Sequence, residues 1–275
     1  MLKETSVVTD STASIPPSLA QEKNIDVVPA LITFGNITYR DGVDLEMQKF
    51  MEMLKEASVL PTTAAPSPQE FITCYKRHPG GIVSVHAGSA FSALHSVAKT
   101  AAKEIGGRVN VVDSGTTTLA LGFMVMRAAD LAMQGTTPDQ ILDELENMKG
   151  RTTVMAAFDT LEYAKKGGRI SYLEAQLGSL IQIKPILEIK DNKIGVIERP
   201  RTRNKSLDRI VELTEALGPL EQVGVLHADT PQVAENIAGQ IRRFHQGDIM
   251  IGNIGPALTI HGGPGIIGVA AVKKQ

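Results

Sequence analysis

Short apolar segments alternate with longer helical patterns through the first half of the chain, and this alternation restricts the fold more than any other feature. Residues 6–8, 81–86 and 108–113 have the length and composition of buried strands, and residues 25–33 are predicted to form one further strand region. Helical patterns follow at residues 90–103 and 119–133. Strands separated by helices pair in parallel, because the chain must cross back over the sheet between them. The pattern predicts a mainly parallel sheet flanked by helices.

The second half has a different pattern. Residues 183–200 form two apolar segments joined by an Asp-Asn pair, which is typical of a hairpin turn. A short helix is predicted around residues 172–178, and further strands and helices alternate up to the C-terminus. We therefore predict an α/β protein of two α/β domains, residues 1–150 with a mainly parallel sheet and residues 151–275 with a mixed sheet and helices.

Charge, cysteine content and hydropathy exclude several classes of protein. The 275 residues include 28 Lys and Arg against 30 Asp and Glu, whereas a general nucleic-acid binder needs a basic surplus. The only cysteine, Cys74, argues against a disulfide framework or a cysteine-based zinc site and fits a reducing compartment. The N-terminal segment has no apolar run, and no stretch approaches the roughly 18 apolar residues of a membrane span. These features predict a cytoplasmic protein.

Two segments place hydroxyl groups where a ligand could meet them. Residues 9–12 (Thr-Asp-Ser-Thr) end the first strand, at the sheet edge where ligands collect, although their aspartate could instead cap the following turn. The stiff, proline-rich loop 61–68 ends in Ser67, which is placed to cap the next helix. Thr62 and Thr63 lie too far upstream to cap that helix, so they are candidate ligand contacts.

Two further segments carry possible ligand contacts. Residues 88–92 join a strand to a helix, so we expect Ser89 to cap the helix and Ser92 to lie on its first turn, where free N–H groups favour an anion. The glycine-rich segment 261–265 predicts a turn. There His261 is either solvated or able to approach a ligand closely.

Residues 167–171 and 199–203 are basic turns marked by glycine or proline. Such turns are either solvated surface or a patch for a phosphate or an acidic partner. The chain has no Gly-x-x-x-x-Gly-Lys-Ser/Thr, no Gly-x-Gly-x-x-Gly and no Gly-x-Ser-x-Gly. It therefore lacks the signatures of P-loop phosphotransfer, dinucleotide binding and α/β-hydrolase chemistry.

Taken together, these segments resemble the DegV family, the bacterial fatty-acid-binding proteins that include the FakB subunits of fatty acid kinase. The matching pieces follow the family's order over nearly the whole chain, and the ordered set is more specific than any piece. They are residues 9–12, 39–41, 63–66, 89–98, 112–114, 167–171, 184–187, 201–202 and 261–265.

The resemblance implies a protein that encloses one long-chain, palmitate-like fatty acid between and beneath two domains. The resemblance implies no cofactor, no metal and no catalytic residue. By position, Thr63 and Ser92 would hold the carboxylate, with His261 at the head-group end. The resemblance also implies a partner, a fatty acid kinase that phosphorylates the presented acid to an acyl phosphate. Arg169, Arg201 and His261 match family positions in exposed turns, and we expect them to form the docking surface for that kinase.

The tail is expected in an aliphatic tunnel of the N-terminal lipid-binding domain, walled by the helices at 90–103 and 119–133. The sequence departs from the family pattern at residues 64–65, where two alanines replace Ser-Gln, and at residues 93–95, where Ala-Leu-His replaces Gly-Thr-Tyr. Fewer polar groups are therefore expected near the carboxylate.

Two other functions stay open on the sequence. The basic turns and the carboxyl edge of the first strand would also suit an enzyme or sensor of a small phosphorylated metabolite. A regulatory interaction module in which the lipid has only a structural role would show the same sequence features as a lipid carrier.

Overall fold

The computed structural model of this chain describes residues 5–168 and 183–275. The strands, in chain order, are β1 (Ser6–Asp10), β2 (Ile25–Val28), β3 (Leu31–Phe34), β4 (Ile37–Arg40), β5 (Thr62–Ala64), β6 (Ile82–His86), β7 (Val109–Asp113), β8 (Thr152–Ala157), β9 (Ile186–Lys190), β10 (Lys193–Glu198), β11 (Leu220–His227), β12 (Ile249–Asn253) and β13 (Ile267–Lys273). The α-helices are α1 (Pro17–Glu22), α2 (Met47–Glu56), α3 (Pro68–Lys76), α4 (Leu94–Ile105), α5 (Thr118–Met133), α6 (Pro138–Lys149), α7 (Glu162–Lys166), α8 (Arg203–Glu215), α9 (Pro231–Ile241) and α10 (Pro256–Gly262).

A four-stranded sheet in the order β2-β1-β6-β7 forms the centre of the first half, and all its strand pairs are parallel. Every residue of β6 is buried, as expected for a central strand covered on both faces. The predicted parallel sheet with flanking helices is confirmed.

A six-stranded mixed sheet in the order β10-β9-β8-β13-β11-β12 forms the second half. Only the β11–β12 pair is parallel. The β9–β10 hairpin turns at Asp191 and Asn192, which both have positive φ, as a tight two-residue hairpin requires. The predicted mixed sheet and this hairpin are confirmed. A small antiparallel sheet, β4-β3-β5, lies outside the two large ones.

Helix α5 connects the two large sheets. Twelve of its 16 residues are buried, which is typical of a helix with protein on most sides. It contacts β1 and β6 of the parallel sheet and also β8 and β13 of the mixed sheet. The largest hydrophobic cluster accordingly includes residues from both halves, such as Val83 and Leu226. A domain boundary at residue 150 stays a prediction.

Three local predictions are corrected. Residues 25–33 were expected to form one strand region, but Pro29 separates β2 from β3, which belong to different sheets. Helix α4 begins at Leu94 rather than near residue 90. His261 lies in the last turn of α10 rather than in a turn, because Pro256 at the helix start and Gly263, with φ of 84°, delimit a short helix there.

The helix predicted around residues 172–178 lies outside the described residues. Within residues 5–168 and 183–275, no helix combines the length and the apolar character needed to cross a membrane.

Candidate functional site

A cavity of about 250 Å³ lies where the two halves meet. Residues of the second half, mainly from the mixed sheet and α10, form more than half of its wall, and Phe91, Leu94 and several alanines of the first half complete it. Most of these groups are aliphatic or aromatic, and an apolar cavity of this size favours an apolar ligand over ordered water.

The wall differs from the tunnel expected within the first domain. Leu94 lines the cavity as expected, but none of residues 119–133 does. The reason is packing: Leu119 and Phe123 of α5 lie against Gly224 of β11, where even a Cβ atom would come within 2.4 Å of Leu119 Cδ2. Leu119 and Phe123 are therefore packed against the mixed sheet and do not face the cavity.

A hydrogen bond between distant segments forms part of the cavity's polar wall. Thr63 on β5 and His261 on α10 both line the cavity, with 2.8 Å between Thr63 Oγ1 and His261 Nε2. Ser92 lines the same cavity just before α4, where its Oγ accepts a hydrogen bond from Leu94 N at 3.3 Å. Ser92 is thus not on the first helical turn, but it is in the cavity wall.

The other serine of this loop does not cap α4 as predicted. The Ser89 hydroxyl donates to Asp113 Oδ2 at the end of β7. Asn192, at the tip of the β9–β10 hairpin, donates to the same carboxylate at 2.9 Å. Burial raises the pKa of Asp113, but hydrogen bonds from Ser89, Gly115 and Asn192 outweigh burial and lower the pKa overall. These hydrogen bonds to Asp113 from Ser89 and Asn192 are called the clasp below. The clasp connects the loops of the parallel sheet to the β9–β10 hairpin, which forms one side of the cavity.

Two predicted site residues lie away from the cavity. Thr62 is exposed on β5, opposite Thr33, and does not line the cavity. Successive strand residues face opposite sides, so the Thr62 side chain lies on the side of β5 away from the Thr63 hydroxyl. Arg201 is exposed just before α8. Arg169 lies outside the described residues.

Sequence reasoning missed Arg203, although it sits in the basic turn that the sequence singled out. Its guanidinium donates to the Gly265 carbonyl oxygen and lies 3.3 Å from Asp159 Oδ1. It therefore holds the turn that follows α10. From the first half, the buried Asp41 accepts a hydrogen bond from Ala257 N at 3.4 Å. Together these contacts fix the helix that carries His261.

A buried chain of polar side chains was also missed. His86 Nδ1 lies 2.9 Å from Asp10 Oδ2, and His86 Nε2 lies 2.7 Å from Ser84 Oγ. Tyr75 extends the chain, with its hydroxyl 2.9 Å from Ser84 Oγ. Asp10 also accepts from Thr12 N at 3.0 Å, so the capping interpretation of this aspartate is confirmed. No signal along the chain shows that Asp10 and His86 meet, because parallel pairing of β1 with β6 brings them together.

A second polar cluster joins α3 to the edge strand β2. Asp26, Cys74 and His78 each have one atom of a kind that can bind a metal ion, and these three atoms lie within 4.8 Å of one another. Arg77 Nη2 donates to Asp26 Oδ1 at 2.7 Å and also contacts Cys74 Sγ. His78 Nε2 lies 2.5 Å from Asp26 Oδ2. The carboxylate is thus satisfied within the chain.

The fold and the cavity define a class: an α/β protein of two main sheets with an apolar cavity between its two halves and a few hydroxyls and one histidine in the cavity wall. A family model described as "Uncharacterised protein, DegV family" matches residues 4–274. The chain belongs to the DegV family.

Relatives and solved structures agree over the full length. A DegV domain-containing protein of Streptomyces coelicolor is 31% identical over 282 residues, covering 100% of both chains. Protein DegV of Bacillus subtilis is 32% identical, covering 96% of this chain and 97% of the relative. A crystal structure described as DegV, a fatty acid binding protein from Bacillus subtilis, matches with a TM-score of 0.90 at 31% identity, covering 99% of this chain and 100% of that one.

Proposed function

We propose that this chain is a non-catalytic binding protein that holds one long-chain fatty acid, with its tail in the cavity. The observation that carries the proposal is the mainly apolar cavity whose wall includes Thr63, Ser92 and His261. The solved DegV structure of Bacillus subtilis is described as a fatty acid binding protein, which supports the same ligand class here.

The energetics fit a ligand held mainly by its tail. Each buried methylene contributes about 0.8 kcal/mol, so a chain of about 16 carbons offers roughly 10–12 kcal/mol before the costs of binding. The head group then needs only orientation. A carboxylate accepts hydrogen bonds and donates none, so the hydroxyls of Thr63 and Ser92 suit it, as does an N–H of His261.

We further propose that the bound acid is presented to a fatty acid kinase, which forms the acyl phosphate. The chain has no P-loop signature of its own, in keeping with a separate nucleotide-binding partner. Arg201 and Arg169 would contact the kinase, together with His261. Support comes from the exposure of Arg201 outside the cavity wall and from the position of His261 within it. We propose that the chain and the kinase act together in the reducing cytoplasm, where the free thiol of Cys74 is stable.

Mass spectrometry of lipid extracted from the denatured, purified protein tests the binding proposal. We expect one fatty acid per chain. If no lipid is found, and a sugar phosphate rather than a fatty acid raises the melting temperature, the chain acts on a small phosphorylated metabolite and the proposal is wrong.

The Arg201→Ala variant tests the docking proposal. We expect slower acyl-phosphate formation with the kinase of the same organism and unchanged fatty-acid affinity. The matched control is Arg243→Ala, which removes an exposed arginine beyond α9. Loss of lipid binding in Arg201→Ala would assign Arg201 to the cavity instead. Absence of phosphorylation with the wild-type chain would remove the kinase role and leave the binding role intact.

A further inference from the structure

One row of side chains crosses four strands of the mixed sheet and faces the cavity. Pairing of β9, β8, β13 and β11 sets Leu187, Ala156, Gly268 and Leu226 side by side. All four line the cavity. Two leucines therefore stand at the ends of the row, about three strand spacings or roughly 14 Å apart. The two smallest residues lie between them, so the row has the profile of a groove.

The glycine in this groove is not required by the packing of the protein. A Cβ atom at Gly268 would come no closer than 3.7 Å to Leu226 or to the Met155 carbonyl oxygen, which is ordinary contact. Its φ is not in the left-handed region either, so its backbone accepts any side chain. Gly224 on the next strand is the opposite case, because Leu119 occupies the space over it.

A glycine inside a strand weakens the strand and often marks the close approach of a ligand. Gly268 carries this cost near the start of a buried strand, where it is paired on both sides, and the space above it is cavity rather than protein. The space that Gly268 and Ala156 leave is therefore space for the ligand.

We propose that Gly268, with Ala156 beside it, is a specificity-determining residue: the pair sets the depth of the groove and admits a single unbranched acyl chain lying against the sheet. This inference rests on the proposed fatty-acid binding and adds to it the place where the chain passes and the limit on its bulk. A methyl branch or a second acyl chain would need a deeper groove.

The test uses delipidated wild-type protein, Gly268→Ala and Gly268→Val, titrated with straight-chain saturated fatty acids of increasing length. Displacing one methylene costs about fourfold in affinity, so we expect a loss of about fourfold for Gly268→Ala and roughly tenfold or more for Gly268→Val. The losses should begin at the chain length that first reaches the row, with shorter acids unaffected. A methyl-branched acid should bind the wild type more weakly than the straight acid of equal carbon number.

Gly252→Ala is the matched control. Gly252 lies in the same sheet, opposite Leu226, and a Cβ there would also make only ordinary contact, at 3.8 Å. It does not line the cavity. Its affinities should equal those of the wild type at every length.

Two results would overturn the inference while leaving fatty-acid binding intact. In one, folded Gly268→Ala binds the whole series as tightly as the wild type. In the other, Gly252→Ala loses as much affinity as Gly268→Ala. Failure of the wild-type protein itself to bind any acid in the series would instead remove the proposed function.

Discussion

The two large sheets use their buried positions in opposite ways. The parallel sheet buries Asp10, Ser84 and His86 completely and satisfies them from one another. The cavity-facing row of the mixed sheet presents only apolar groups, such as Ala156 and Leu226. The buried charged and polar residues of the parallel sheet therefore stabilise the fold, whereas the apolar face of the mixed sheet borders the candidate site.

The comparison also shows where the polarity of the cavity comes from. Thr63 belongs to the small outer sheet and His261 to a short helix, so these two polar groups come from neither large sheet. The two large sheets supply a rigid support and an apolar surface, whereas the small outer sheet and α10 supply the polar groups that would orient a ligand. This division is common among binding proteins built on a rigid scaffold. The following predictions test it, starting from the largest expected effect.

Asp10→Ala should be strongly destabilising. It leaves His86 Nδ1, Thr12 N and Ala87 N without their acceptor in a fully buried place. Breaking a buried charged cluster costs about 3–5 kcal/mol, measurable by urea unfolding. Asp44→Ala is the control, because Asp44 pairs with Arg40 on the surface, where solvent screens the pair and its loss should be much less destabilising. Similar losses for both variants would contradict the structural role of the network.

Thr63→Val combined with Ser92→Ala should change binding rather than stability. Hydrogen bonds to a charged group contribute about 1.5–3 kcal/mol each, so fatty-acid affinity should fall at least tenfold. Titration of delipidated protein measures this change. Thr38→Val, an exposed threonine on β4, should bind as the wild type does. An unchanged affinity in the double variant would exclude both hydroxyls from the head-group site.

Asn192→Ala tests the clasp where the two sheets meet. Removing its hydrogen bond to Asp113 should cost about 1 kcal/mol at neutral pH, in addition to the pH-independent strain of an alanine at a φ of 59°. The pKa of Asp113 is lower in the folded protein, so its stabilising contribution is complete above the ordinary carboxyl value of 3.8 and is lost as the pH falls through the lowered value. The difference between variant and wild type should therefore shrink in acid.

Urea unfolding at neutral and acid pH measures this difference, with Asn236→Ala on the exposed face of α9 as the control. A loss of the same size at both pH values would show that the clasp does not depend on the charge of Asp113.

Leu94→Trp should have the smallest effect. The larger ring takes space from the cavity near the first half, so the longest acids should lose about fourfold in affinity for each displaced methylene. Preference then shifts to shorter acids. Leu142→Trp on α6, outside the cavity wall, should leave the chain-length profile unchanged. An unaltered profile in Leu94→Trp would mean that the tail lies elsewhere.

Much of the fold could be predicted from local pattern. The parallel sheet follows from the alternation of strands and helices, and the β9–β10 hairpin from its Asp-Asn turn. Segment boundaries were less predictable. The helix carrying His261 was missed because glycines surround the histidine, whereas Pro256, five residues upstream, sets the start of the helix.

Residues of the candidate site could be predicted only where the local sequence of one loop was sufficient to indicate a ligand contact. Thr63 and Ser92 were found because rigid or helix-starting loops favour ligand contacts, and both line the cavity. Arg203 and the groove at Gly268 depend on contacts between segments far apart in the chain. Strand register decides which side chains share a face, and the sequence of a single strand does not specify its neighbours.

The cavity lies inside the main hydrophobic core, and its wall shares Val154, Leu187 and Ile266 with that core. A ligand that binds only the folded chain stabilises it by mass action, by about 2.7 kcal/mol at a free concentration about 100 times its dissociation constant. That gain is a large part of the whole stability of many proteins, which is about 5–15 kcal/mol. A tail in this cavity would complete the core, so we expect the unliganded chain to be degraded faster in the cell. The abundance of this protein would then follow the supply of its lipid.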